Sequence, residues 1–202
     1  MKKLHLTLAR TTLTAALISA AVSTASAQTP RTYRAHLATT SSAAKIAHAT
    51  NAALDDATIV AIFDAANTWD IQLGQLALKK SHNADIRTFA HMMVRDHGAV
   101  RKMGRELARR LNVTPTPPGA DFPLAKDHAS TLTKLKGLRG PAFDKTYIDH
   151  EVWYHQAVID AITNTLLPAT TNSELKALEI KVAPNFQAHL VAAKDVQQKL
   201  AK

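Results

Sequence analysis

The sequence predicts an all-α protein, a four-helix bundle of two antiparallel helical hairpins joined by a long crossover that carries a shorter helix. Three observations predict it. Four long segments repeat apolar residues at three- and four-residue spacing, the period of one buried helix face. Only six glycines interrupt 202 residues rich in Ala and Leu, a composition that favours helix over a β-sandwich. The four segments form two pairs with short turns, and a connection of about 30 residues separates the pairs, as in ferritin-like bundles rather than simple up-down ones.

The first predicted helix begins at Asp55 or Asp56, either of which can cap it. Its stripe is Ile59, Ile62, Phe63, Ala66, Trp69, Asp70, Leu73, Leu76 and Ala77. Ser81-His82-Asn83 makes the turn, and Asn83 caps the second helix. That helix runs to about Leu111 with Ile86, Phe89, Ala90, Met93, His97, Val100, Gly104, Leu107 and Leu111 inward. His91 lies on its wet face with Arg87 and Arg95. Three prolines between Asn112 and Pro118 require a loop. A shorter amphipathic piece follows over 123–138, with Leu124, Leu132 and Leu135 apolar, and His128 has no assignable partner.

Gly140-Pro141 opens the third long helix, 142–167, since proline suits a first turn. Its stripe is Ile148, Val152, His155, Ile159, Ile162 and Leu166, with Tyr147, Tyr154 and Val158 on the adjoining face. Pro168 closes it. Thr171 with Glu174 resembles a capping box for the last helix, 173–200, in which Leu175, Leu178, Val182, Phe186, His189, Val196 and Leu200 face inward. Pro184 sits in its interior, where a kink is expected.

Ahead of the bundle domain, 55–202, lie two further segments. Residues 1–27 have the pattern of a secretory signal peptide: Lys2, Lys3 and Arg10, a short apolar run over 13–22, and the small-x-small signal Ala25-Ser26-Ala27. The run is too short and too broken by Ser and Thr to span a bilayer. The mature protein is therefore expected to be periplasmic or secreted. Residues 28–54 have no sustained period and read as a flexible leader; His36 and His48 within it read as incidental.

There is no cysteine, which excludes disulfides, thiolate metal sites and thiol nucleophiles. Losing the signal removes three basic residues and lowers the net charge from +9 to +6. The remaining basic residues are scattered except for Arg101, Lys102, Arg105, Arg109 and Arg110. These lie on the C-terminal half of one helix, where cations suit the dipole. They form either a solvated face or a contact for an anionic envelope component. A secreted chain has little access to nucleic acid, so no such partner is expected.

Four polar residues interrupt the apolar stripes: Asp70, His97, His155 and His189. Counted from the turns at 1.5 Å per residue, they fall in one middle layer to within a helical turn. Three imidazoles and a carboxylate suit one divalent transition metal such as Zn, Cu, Ni or Fe, with Asp96 and Glu151 placed to support the ligands from behind. The same layer can instead be a hydrogen-bonded set that fixes helix register without metal. Met93 and His97, one turn apart, could hold a haem non-covalently; without Cys-x-x-Cys-His covalent attachment is excluded. No serine sits in a nucleophile elbow or beside a base, so no reaction can be named and an enzymatic role is not favoured.

Trp69-Asp70-Ile71-Gln72-Leu73-Gly74-Gln75-Leu76-Ala77 resembles the first-helix motif of the secreted bacterial proteins catalogued as domain of unknown function 4142. Met92-Met93-Val94-Arg95-Asp96-His97 resembles the second, and the segments around His155 and from Ala183 to Leu190 resemble the third and fourth. The resemblance covers about 59–200. It implies a ferritin-like four-helix bundle and no established activity, with metal binding suggested by the fold and the inward histidines. Asp70 stands where Glu is usual in the family. The Glu-x-x-His pairs of di-iron bundles are missing, since Arg109, Tyr154, Ala177 and Val182 follow Glu106, Glu151, Glu174 and Glu179 at that spacing. Two functions follow as leading expectations, a non-catalytic metal-binding bundle and a structural or interaction module of the envelope. A metalloenzyme would further need an open coordination position.

Overall fold

The computed structural model describes residues 54–116 and 122–202. The expected signal peptide and nearly all of the leader, with His36 and His48, lie outside the described residues, as do Pro117 and Pro118. Among the described residues the chain is helical throughout, without a strand. The helices are α1 (Asp56–Lys80), α2 (Ala84–Arg110), α3 (Pro123–Gly137), α4 (Gly140–Ala161) and α5 (Ser173–Leu200). No helix among the described residues is long and apolar enough to cross a membrane.

Each boundary has a local cause. Asp55 caps α1, its Oδ1 accepting from Thr58 N at 2.7 Å. Asn83 caps α2 by accepting from the Asp85 and Ile86 amides at 2.9 and 3.1 Å. Past α2, Asn112 takes φ 52°, a left-handed conformation Asn tolerates at a helix end. Gly140 takes φ +54° ahead of Pro141, where a side chain would be strained. Before Pro168 the chain widens into a π-helical turn, Ile162–Leu166, and ends in the short turn Leu167–Ala169. The widening falls where proline has no N–H to offer the helical ladder. Helix α5 continues through Pro184 to Leu200.

One cap differs from expectation. Asn172, not Thr171, caps α5, accepting from the Glu174 and Leu175 amides at 2.9 and 3.0 Å. Thr171 is engaged elsewhere: Asp56 accepts from its amide at 2.9 Å and its hydroxyl at 2.6 Å, and from Asn172 N at 3.0 Å. This clasp ties the start of α1 to the α4–α5 connection.

Helix α1 pairs with α2 and α4 with α5, while α2 meets α5 and α1 meets α4. The crossover helix α3 lies on α1 and α4 and is pinned by Lys80, whose ammonium donates to the Leu135 carbonyl at 2.9 Å. His128 is buried on this helix, whereas Leu132 is only half-buried. The imidazole stacks on Trp69 at 5.5 Å and meets Gln72 Oε1 at 2.9 Å. The buried arc of α4 is wider than one stripe. Tyr147, Glu151 and Tyr154 are fully buried, and Val152 and Ile159 only half-buried.

The apolar interior is two clusters, not one. The first includes Ile62, Phe63, Val100, Val158, Val182 and Phe186. The second includes Leu73, Phe89, Met93, Phe143, Ile148 and Ala193. Between them, on every long helix, the buried positions turn polar: Asn67 and Asp70, His97, Glu151 and His155, His189.

Gly74 sets how closely α1 approaches α2. A Cβ there would lie 3.0 Å from Val94 Cγ2, 3.2 Å from the Ala90 carbonyl and 3.4 Å from Met93 Cβ. Gly74→Val is therefore expected to destabilise the bundle by about 1–3 kcal/mol despite removing a helical glycine, read from urea unfolding midpoints; unchanged stability would refute the close approach.

Candidate metal centre

The polar layer is built from one turn of each long helix. His97, His155 and His189 are between 0% and 3% exposed, and one nitrogen from each lies within 4.8 Å of those of the other two. Their ring centroids are 5.0–5.6 Å apart. Phe186 closes the set with its ring 5.5 Å from that of His97.

Each ring is anchored at one nitrogen. His97 Nδ1 lies 2.9 Å from Asn67 Oδ1, and Asn67 is itself held by donating to the Phe63 carbonyl at 2.7 Å. His155 Nδ1 lies 2.9 Å from the Glu151 carbonyl, one helical turn back. His189 Nε2 lies 3.1 Å from Asp96 Oδ2. All three acceptors favour N–H on that side, which fixes the tautomer. The opposite nitrogens, His97 Nε2, His155 Nε2 and His189 Nδ1, are buried without a hydrogen-bond partner. Three lone-pair donors held from behind by acceptors are the arrangement of a metal-binding imidazole set.

Asp70 stands beside this set rather than within it. Its Oδ2 is 3.4 Å from His97 Nδ1, on the anchored side of that ring. Its carboxylate groups instead with Glu151 and His155, whose ligand atoms lie within 4.8 Å of its own. Glu151 is fully buried, with Oε2 3.5 Å from His155 Nδ1 and no N–H hydrogen-bonded to either oxygen. Asp96 is partly exposed and held by Arg95 at 2.6 Å, so it reaches the layer through His189 alone. Met93 is buried in the second apolar cluster.

Burial governs the protonation of the layer. It pulls His97 well down and His155 to about 3, with neighbouring imidazoles adding to the effect. His189 is lowered by burial too, against an opposing pull from Asp96. The imidazoles are therefore neutral and able to ligate. Burial pushes Asp70 up to about 8 and holds Glu151 far above the usual carboxylate range.

Sequence reasoning missed Asn67, which lies three residues before Asp70 on the same buried face and was hidden by the Ala66–Trp69 reading of the stripe. Glu151 was given a supporting role, yet its side chain is as buried as any ligand. The spacing of Glu151 and His155, four apart on one helix face, is the signal for both. Elsewhere, the basic face is largely paired within the chain. Arg101 lies 3.1 Å from Asp64, Arg105 also reaches Asp64, Arg110 lies 2.7 Å from Glu174, and Lys102 lies 3.8 Å from Glu106. A groove of about 280 Å³ beside Arg101 and Arg105 is lined by Val60, Phe63 and Pro115.

The carboxyl shifts give a pH signature for chelator-treated protein. Asp70 keeps a proton in the fold that it loses on unfolding, so the folded state binds more protons between the unfolded value near 4 and about 8. Raising pH through that window lowers stability. The buried imidazoles act in the opposite sense until the unfolded histidines have lost their protons, about one unit above 6.5, so the carboxyl effect of Asp70 and Glu151 stands clear from about 7.5 to 8.5. Unfolding free energies from urea melts should fall by roughly 1–2 kcal/mol across it, and Asp70→Asn should flatten the slope; a slope unchanged in that variant would contradict the buried-acid assignment.

The fold is similar to two solved structures. A DUF305 fragment from Deinococcus radiodurans superposes with a TM-score of 0.61 at 13% identity, over 71% of this chain and 95% of that one. CopM in its Cu(II)-bound form superposes with a TM-score of 0.55 at 18% identity, over 72% of this chain and 98% of that one. At these identities the likeness concerns the fold, and both neighbours are helical bundles. No curated protein is significantly similar in sequence. The family profile described as Domain of unknown function (DUF4142) matches residues 39–196, and the chain belongs to that family.

Proposed function

We propose that this protein is a periplasmic or secreted ferritin-like four-helix bundle that binds a divalent transition metal, without catalysing a reaction, through His97, His155 and His189. The observation that carries this reading is the set of three buried ring nitrogens without partners, each on a ring anchored at its other nitrogen. A buried imidazole nitrogen left unpaired costs about 1–3 kcal/mol, and a shared cation satisfies all three at once. Three nitrogen donors leave a fourth position for water or a further ligand. Zn, Cu, Ni and Fe all suit imidazole. The fold likeness to CopM, captured with Cu(II), supports the reading. The helix pairing, with α3 on the long crossover, supports the ferritin-like arrangement, and the sequence of 1–27 supports export.

The competing reading is a polar layer that fixes helix register in an envelope module. The anchoring bonds to Asn67 and Asp96 serve it equally well, but the three buried nitrogens without partners do not.

Metal analysis of untagged protein purified without chelator separates the two. Wild type is expected to carry close to one transition metal per chain at the imidazole set. His97→Ala with His189→Ala should weaken binding at least 10-fold while circular dichroism shows the helices retained. Equal metal content in wild type and variant would end the metal reading.

A further inference from the structure

The polar layer holds more ligand atoms than the three imidazoles. Asp70 Oδ1 and both Glu151 oxygens are buried with no hydrogen bond from any N–H, on residues 2% and 0% exposed. An oxygen from each lies within 4.8 Å of the other and of a His155 nitrogen. Tyr147 adds a fourth oxygen. Its hydroxyl is fully buried and lies beside Glu151.

Asp70 comes from α1, and Tyr147 and Glu151 from α4, across the α1–α4 seam. His97 and His189 come from α2 and α5. His155 stands at the boundary, with Nδ1 3.5 Å from Glu151 Oε2 and Nε2 unpartnered. Two adjacent carboxylates cannot both be ionised in a dry layer without a compensating charge. A single divalent cation offsets both, and the donors are of the hard, oxygen-rich kind that select Mn(II)-like ions over softer ones.

We propose that the layer is a two-seat site in which Asp70 and Glu151, with the Tyr147 hydroxyl beside Glu151, hold a hard divalent cation next to the imidazole seat. The neighbouring seat rests on the function proposed above; the acid seat rests on its own atoms. Each long helix contributes to one seat or the other, and α4 contributes to both through Glu151 and His155.

Two metal probes test the seats separately in chelator-treated protein. Mn(II) uptake is read from the loss of the free-ion electron paramagnetic resonance signal, and Cu(II) uptake from nitrogen hyperfine structure in its own spectrum. Wild type is expected to take up one of each together. Asp70→Asn and Glu151→Gln, which preserve shape, should weaken Mn(II) at least 10-fold and leave the Cu(II) nitrogen pattern intact. Tyr147→Phe, which removes only the hydroxyl, should weaken Mn(II) several-fold and serves if either acid variant fails to fold. His97→Ala with His189→Ala should abolish the Cu(II) pattern and spare Mn(II). The two-seat proposal is overturned if wild type takes no Mn(II), if Cu(II) displaces it, or if the folded acid-pair and Tyr147 variants bind it unchanged. Absence of Cu(II) nitrogen coupling in wild type would instead overturn the imidazole reading while Mn(II) uptake still reported on the acid seat.

Discussion

Keeping six polar side chains dry in the middle of a helical bundle is the constraint on which the rest of this structure depends. Asn67, Asp70, His97, Glu151, His155 and His189 are each at most 3% exposed. They divide the apolar interior into two clusters, one on either side. Desolvation disfavours charge there, so the imidazoles are neutral and the acids hold on to protons. The two apolar clusters supply the stability that permits such a layer. Sliding any one of the four long helices by a turn would place polar groups in hydrocarbon.

The layer is asymmetric in a way that gives it chemistry. Outer acceptors occupy one nitrogen of each imidazole and leave the other unpaired. Two of those acceptors, Asn67 and the Glu151 carbonyl, are interior; the third, Asp96, is 25% exposed at its side chain and tied to the solvent-facing Arg95. The His189 edge is therefore where the layer comes nearest to water. On the opposite side α3 lies over the α1–α4 seam, held by Lys80 at its end and by the stacked His128 near its middle.

Much of this was legible from residue spacing. The helical periods, the Asp55 and Asn83 caps, the Pro-rich break after α2 and the inward direction of His97, His155 and His189 all follow from local rules. Where the reading slipped, a neighbour in space intervened. Thr171 looked like a helix cap, but Asp56, 115 residues away, takes its amide and hydroxyl and leaves capping to Asn172. Tyr147 and Glu151 looked peripheral because a single stripe was drawn on α4, whereas Glu151 meets Asp70 of α1 and Tyr147 meets Phe89 of α2. Asn67 was passed over because Ala66 and Trp69 are the more apolar residues nearby, yet both are only half-buried.

The sequence by itself determined the helices, the compartmental expectation and the inward polar positions, because periodicity, capping and charge act over a few residues. Tertiary structure alone decided how those positions divide. Asp70 grouped with Glu151 and His155 rather than completing the three-histidine set, because side-chain length and helix rotation, which no linear spacing encodes, set which atoms meet. The same packing chose which nitrogen of each histidine is anchored and which is left unpaired. That choice separates a buried polar layer from a site able to hold a metal ion.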